Sequence, residues 1–281
     1  MATSNLRLKL EKRQRPLVMG VLNVTPDSFS DGGCYMQIDT ALAHARTMLD
    51  EGADIIDVGG ESTRPGAKAV PEEDELQRVV PIVKALSEEM GAVISVDTSK
   101  TAVMRAAIKA GAAMINDVQA LGGAGALDVV ASSDVLVSLM HMQGSPRTMQ
   151  ADPCYQSVVD DVLCFLVERA EYCVSNGIDP SRIVIDPGFG FGKSVSHNYS
   201  LMRNLGRFSD AGYYVLVGVS RKSMIGALLD LPAEKRIIGS IVLAALAAER
   251  GAAIVRVHDV RETVEAMKLV HAVQTLGLME E

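Results

Sequence analysis

No run of 18 consecutive apolar residues occurs in the chain, and its first residues, MATSNLRLKLEKRQRP, carry arginine and lysine without a continuous apolar segment. Neither a membrane-spanning helix nor a secretory leader is therefore expected, and the chain reads as a soluble, cytoplasmic protein with no membrane partner. A broad basic field is missing as well: 27 Lys and Arg stand against 35 Asp and Glu, a net charge of −8. Phosphate-backbone binding needs such a field, so nucleic acid is not expected as a partner, although local clusters can still hold small anions. The four cysteines, Cys34, Cys154, Cys164 and Cys173, form no C-x-x-C pair. Reduced, mostly buried thiols are the expectation, with no disulfide framework. No H-E-x-x-H is present either, so a zinc enzyme is not expected. The segment DPGFGFGKS falls short of a phosphate loop because Pro187 stands where the first glycine is required. A dinucleotide fingerprint fails because Lys193 and Val195 stand where the third glycine belongs.

What is present is core material: 48% of the 281 residues are hydrophobic and only 10 are proline, a composition that supports a large packed interior. Eight short β-rich runs recur: LVMGVLNVT from 17, ADIIDVGG from 53, AVISVDTS from 92, AAMINDVQ from 112, VLVSLMHM from 135, RIVIDPG from 182, YVLVGVS from 214 and AAIVRVHD from 252. Several are nearly continuous apolar runs, as parallel strands buried on both faces require. Helical patterns separate them. Behind Pro71, a first turn of four acids precedes Leu76, Val79, Val80, Val83 and Leu86 at helical spacing, and a second stripe joins Leu42, Ala45, Met48 and Leu49. Glycine ends a helix just before strands two, four and eight, in GAD, GAA and GAA. This punctuation predicts an α/β chain folded as one (β/α)8 TIM barrel over residues 16–281, behind an N-terminal extension over 1–15 that carries no motif and is expected to be partly disordered. An open doubly wound sheet is the runner-up.

Aligned by their apolar runs, all eight strands end in polar residues: Asn23, Glu61 to Arg64, Asp97, Asn116 with Asp117, His141, Asp186, Ser220 to Lys222, and Arg256 with His258. In a barrel these ends surround one mouth, where active sites are built. Taken singly, each is explained as well by a turn, a helix cap or a solvated face; capping, however, does not call for Arg, Lys and His. The connections from Asn23 to about Ile38 and from Gly59 to Pro71 exceed the roughly two to six residues usual for βα loops, which makes them candidates for lids or substrate clamps. Asp97, Asn116 and Asp186 suit a planar heterocycle with an amidine-like edge, because a carboxylate accepts two parallel N–H bonds, and Lys222 suits a ring carbonyl. Arg64, Arg256 and His258, with Ser62 and Thr63, suit a phosphate or pyrophosphate. Asn23 offers a hard oxygen to Mg2+ held mainly by water and substrate phosphates.

In order, GVLNVTPDSFSDGG, DIIDVGGESTRPGA, ISVDTSK, INDV, LMHMQGSPRTMQ, IDPGFGFGKSVSHN, VGVSRKSMIG and VRVHDV resemble the motif series of bacterial dihydropteroate synthases, from about residue 16 to 275. The resemblance implies a TIM barrel that joins 6-hydroxymethyl-7,8-dihydropterin pyrophosphate to p-aminobenzoate in folate biosynthesis, releases pyrophosphate, and is the target of sulfonamides. It implies a pterin site at Asp97, Asn116, Met140, Asp186 and Lys222, and a pyrophosphate site at Asn23 with Mg2+, Thr63, Arg64, Arg256 and His258. It places p-aminobenzoate near Phe29, Thr63, Pro65, Phe191 and Ser220, its carboxylate at a helix expected to open at Arg221. Catalysis would rest on Asp97, Lys222, Arg256 and Asn23 by an SN1-like course, with direct displacement also open. A homodimer is implied, for which the apolar SIVLAALAA from Ser240 would serve, although packing against the last strands explains that segment equally well. Two rivals remain: a pterin-binding methyltransferase acting on a corrinoid, which needs no pyrophosphate clamp, and a silent pterin-binding barrel, which should lack Asn23, Arg64 or Lys222.

Overall fold

The computed structural model describes residues 2–24, 34–62, 66–67, 69–144, 148–150 and 152–276, with backbone only for 34–37. The chain opens with α1 (Ala2–Glu11), β1 (Leu17–Asn23), α2 (Cys34–Asp50), β2 (Ile55–Gly59), α3 (Glu72–Met90), β3 (Ile94–Asp97), α4 (Thr101–Ala110), β4 (Met114–Asp117) and α5 (Ala126–Ala131). It continues with β5 (Leu136–Met140), α6 (Val158–Ser175), β6 (Ile183–Asp186), α7 (Val195–Arg203), α8 (Gly206–Ser209), β7 (Tyr214–Val217), α9 (Ser223–Leu229), α10 (Ile237–Glu249), β8 (Ile254–Val257) and α11 (Val260–Leu276). Every strand lies inside its expected run. All neighbours are parallel and β1 pairs with β8, so the sheet closes into a barrel and the open doubly wound alternative is excluded. The strands are buried almost without interruption, because helices cover their outer faces and side chains fill the inside.

Gly52, Gly111 and Gly251, the three glycines that precede strands two, four and eight, have φ of +98°, +111° and +89°. Only glycine occupies that region without strain, and so each helix stops where the next strand must begin.

Three expectations are corrected. The N-terminal extension is not unstructured over Ala2–Glu11: α1 packs Leu6 and Leu10, both fully buried, against Met19, Ile55, Leu136, Val184, Leu216 and Ile254. That cluster fills the barrel interior, and α1 shields it from water. In α3 the buried face is rotated: Glu75 is 1% exposed while Leu76 and Val80 are half-buried, because Glu75 pairs with Lys100 from the loop after β3. Among the thiols, Cys173 is buried, but Cys154 and Cys164 are exposed, and all three are free.

Candidate active site

Register places the predicted residues at one level. Asn23 is paired with Gly59, Gly59 with Asp97, and Asp97 with Asn116, so four successive strands end on a common layer. A Cβ added at Gly59 would lie 3.7 Å from both Asn23 Oδ1 and Asp97 Cβ; the missing side chain leaves the gap between these groups clear.

Arg256 reaches across this layer from β8. Its Nε donates to Asp57 Oδ2 at 2.6 Å and its Nη2 to Asp97 Oδ2 at 2.8 Å, while Asn116 Nδ2 donates to the same Asp57 oxygen at 3.4 Å. Asp57 is fully buried, and its Oδ1 has no hydrogen-bond partner among the described residues. Burial drives the Asp97 carboxyl up to about 7; the Arg256 charge opposes the rise and Asp57 adds to it. Two carboxylates sharing one guanidinium cannot both be fully compensated. Arg256 is held above its ordinary range by Asp57 and Asp97 in spite of its own desolvation, so it stays charged.

On the other side of the mouth, Asp186 Oδ1 accepts from Gly188 N at 2.7 Å, and burial raises its pKa although Lys222 pulls it down. Lys222 donates from Nζ to the Phe189 carbonyl and lies 4.7 Å from the centre of the Phe191 ring. Burial lowers its pKa to about 8, against the raising influence of Asp186. Met140, in register with Asp186, joins Val118, Gln119, Met142 and Phe165 around a cavity of about 300 Å³. Asp97, Asn116, Asp186 and Lys222 are not among the residues that line this cavity, which meets the polar cluster at Met140.

At the rim, His258 donates from its backbone N to Ser220 Oγ at 3.2 Å, and its Nδ1 is 3.0 Å from the same oxygen. Arg221 turns away: at φ +57° it pairs through Nε with Asp259 at 3.0 Å. The helix expected to open at Arg221 consequently opens at Ser223, behind Lys222. Two other strand-end residues leave the site. Asp117 accepts from Gln119 N and Leu121 N at 2.8 and 2.7 Å and so closes a turn. His141 is held by Lys193, 3.0 Å from Nδ1 to Nζ. Phe29, Thr63, Arg64 and Pro65 lie outside the described residues.

The structure thus brings together Asp97, Asn116, Asp186, Lys222, Met140 and Arg256, with Asn23, Phe191, Ser220 and His258 at the strand ends around them. Sequence reasoning passed over Asp57. Its signal was an acid in the middle of the apolar run ADIIDVGG, where burial without a cationic partner would be prohibitive. No group of three or more His, Cys, Asp or Glu among the described residues could hold a metal ion.

Residues 19–258 match the family described as pterin binding enzyme. The chain is 53% identical over 254 residues to the dihydropteroate synthase of Haemophilus influenzae, covering 90% of this chain and 92% of that protein. It is 44% identical over 269 residues to that of Bacillus subtilis, covering 95% and 92%. Among solved structures, Yersinia pestis dihydropteroate synthase in a sulfonamide drug complex superposes with a TM-score of 0.88 at 52% identity, covering 93% of this chain and 95% of that one. The Burkholderia cenocepacia enzyme complexed with 7,8-dihydropteroate does so at 0.86 and 45%, covering 95% of each chain. Such identity extends over nearly the whole barrel, and on that ground the chain belongs to the dihydropteroate synthases, within the pterin-binding enzymes.

Proposed function

We propose that this chain is a cytoplasmic transferase that binds 6-hydroxymethyl-7,8-dihydropterin pyrophosphate in the pocket of Asp97, Asn116, Asp186 and Lys222 and transfers its pterinylmethyl group to p-aminobenzoate. The observation that carries the reading is the layer of Asn23, Gly59, Asp97 and Asn116 with Arg256 laid across it. It combines acceptors for ring N–H groups with a fixed cation next to where a leaving anion would be.

The ring's N–H edge donates to Asp97 and Asp186, Asn116 supplies both a donor and an acceptor, Lys222 donates to the ring carbonyl, and Met140 packs on a face. Arg256, His258 and Asn23, with Thr63 and Arg64 from the loop after β2, hold the pyrophosphate. As the methylene C–O bond breaks, pyrophosphate leaves with the bonding pair; the amine of p-aminobenzoate forms the new C–N bond and gives up a proton to solvent. Cation character at the methylene is favoured by the buried Asp97 and Asp186 carboxylates, which supports an SN1-like course. No nucleophile from the protein is required. Phe29, Thr63, Pro65, Phe191 and Ser220 form the second-substrate wall, which a sulfonamide would share by its likeness to p-aminobenzoate.

Mg2+ fits this donor set. Asn23 offers one hard amide oxygen, and the ion, which keeps several waters and favours phosphate oxygens, needs no all-protein cage. When bound it would supply neutralisation of pyrophosphate charge.

A homodimer is proposed through α10 and α11. The inner face of α10 buries Ser240, Leu243, Ala244 and Ala247 against the barrel. Its outer face leaves Ile238 at 74%, Val242 at 50% and Leu246 at 38% exposure, beside Leu269 and Val273 of α11 at 69% and 76%. Exposed apolar side chains on two helices that pack together fit a second copy better than water. Val242→Glu is expected to shift the species measured by light scattering from dimer to monomer; an unchanged mass would place the contact elsewhere.

The deciding experiment is pyrophosphate release by the purified protein with the dihydropterin pyrophosphate and Mg2+, with and without p-aminobenzoate. Release that depends on both and yields dihydropteroate is expected. Pterin binding without release would favour a silent binder.

A further inference from the structure

Lys193 is 3% exposed, yet among the described residues no carboxylate touches it. Its Nζ donates to the carbonyls of Gly188 at 2.9 Å, Phe191 at 3.0 Å and His141 at 3.3 Å, and lies 3.0 Å from His141 Nδ1. When Lys193 is charged its ammonium has donors only, so Nδ1 then accepts from it and the imidazole is neutral. Burial and the Lys193 charge drive the His141 pKa down to about 3, in agreement. The ring is oriented by edge contact with Phe165, centroids 5.0 Å apart.

A buried cation with only neutral acceptors is a costly way to tie down a loop, and its pKa falls to about 7 under desolvation. What it gains is a single point that gathers four acceptors from two loops. The backbone is shaped for this. Gly188, Gly190 and Gly192 have φ of +69°, +79° and +62°, and a Cβ at Gly188 would lie 1.9 Å from the His141 carbonyl. The alternate groups of the same loop meet the site: the Phe189 carbonyl accepts from Lys222, the Phe191 ring lies beside its ammonium, and Gly188 N donates to Asp186. Inward carbonyls and outward contacts thus belong to one short coil.

We propose that Lys193 is a positioning residue for Lys222: by gathering the carbonyls of His141, Gly188 and Phe191 it fixes the coil from 187 to 194 whose outer side holds the Lys222 ammonium over the pterin site. The inference rests on the assignment of Lys222 to the pterin ring.

A double-mutant cycle on the full chain tests it, with Kd for the dihydropterin pyrophosphate read by titration calorimetry and folding followed by thermal melting. Lys193→Met and Lys222→Met should each weaken binding about tenfold or more, and the double variant should be no more than about twofold weaker than Lys222→Met alone, since residues acting through one contact are not additive. Losses that multiply would show that Lys193 acts apart from Lys222 and would overturn the proposal. Wild-type affinity in Lys222→Met would remove the ring assignment itself, and the positioning role with it. Should Lys193→Met not fold, His141 decides. His141→Asn keeps an oxygen acceptor near the place of Nδ1 and His141→Leu keeps none. Several-fold weaker binding in the Leu variant and recovery in the Asn variant are expected; equal affinities in the two would overturn the proposal.

Discussion

The two sides of the barrel mouth fix their charges by opposite means. At the ends of β2, β3 and β8, a guanidinium is set between two carboxylates, Asp57 and Asp97, with distances of 2.6 and 2.8 Å. Around β5, β6 and β7, two lysines lie in the interior with backbone carbonyls as their direct partners, Lys193 on Gly188, Phe191 and His141, and Lys222 on Phe189. The first side is held through paired charge: its guanidinium stays charged, while burial raises the Asp97 carboxyl to about 7. The second is rigid through loop shape, and its lysines are brought near neutrality by desolvation. A site built this way holds one permanent cation, assigned in the proposed function to the leaving anion, and one adjustable cation, assigned there to the ring carbonyl.

The comparison breaks most severely at Arg256. Arg256→Met leaves Asp57 and Asp97 facing each other in the interior without a counter-charge. Removing one partner of a buried pair is strongly destabilising, here on the order of 3 kcal/mol because the side chain keeps 22% exposure. Turnover should fall by orders of magnitude as well. Chemical denaturation and pyrophosphate release check the two parts, and a variant as stable as the wild type would mean that the paired side is not held by charge. Asp97→Asn is a milder cut through the same side. The fold should persist, with an amide still able to accept from Arg256, while turnover falls by roughly 10²–10³, the range for loss of one preorganised polar group. Wild-type kinetics would take Asp97 out of the mechanism.

Leu6→Ala sharpens the contrast from the far end of the barrel. Leu6 is fully buried against the interior cluster, so truncation should lower stability by about 2–3 kcal/mol while leaving the KM for both substrates unchanged. A shift in pterin KM would show that the packing of α1 is transmitted to the mouth.

These contrasts follow what the sequence could reveal. Strand positions were readable because a parallel barrel buries both faces of each strand, which writes continuous apolar runs such as VLVSLM. Asp97, Asn116, Asp186, Lys222 and Arg256 were readable because polar residues recur at the same end of each run. Asp57 was hidden inside its run, since only the fold brings Arg256 to it across 199 positions. Lys193 was met only as the residue that spoils a glycine motif, for a cage of backbone carbonyls leaves no trace in side-chain identities. Glu75 and Lys100 were missed for a related reason: helical spacing pointed to Leu76, and the ion pair that rotates the helix face depends on a loop 25 residues away. The burial of Leu6 and Leu10 was obscured by LRLKL, which alternates like a strand although it folds as a helix.

The smallest expected effect is the most discriminating, because it separates the two sides by pH. In the proposed function the ring is bound with Asp97 as an acceptor and Lys222 as a charged donor. Affinity for the dihydropterin pyrophosphate should therefore rise as pH climbs through about 7, where Asp97 ionises, and fall above about 8, where Lys222 loses its proton. The stability of the free protein should run the other way. Asp97 has a folded pKa raised above its ordinary 3.8, so its contribution is present below that value and is lost as pH rises toward 7. Lys222 has a folded pKa depressed below its ordinary 10.5, so between about 8 and 10.5 the unfolded chain binds more protons and stability rises with pH. Asp117, raised to about 6, and Lys193, lowered to about 7, add to the same two limbs, and so the variants must isolate each. In calorimetric titrations and melts over pH 5 to 10, Asp97→Asn should flatten the acid limb of both profiles and leave the alkaline limb, and Lys222→Met should do the reverse. If either substitution flattens both limbs, the two sides titrate as one unit and the division between a permanent and an adjustable cation does not hold.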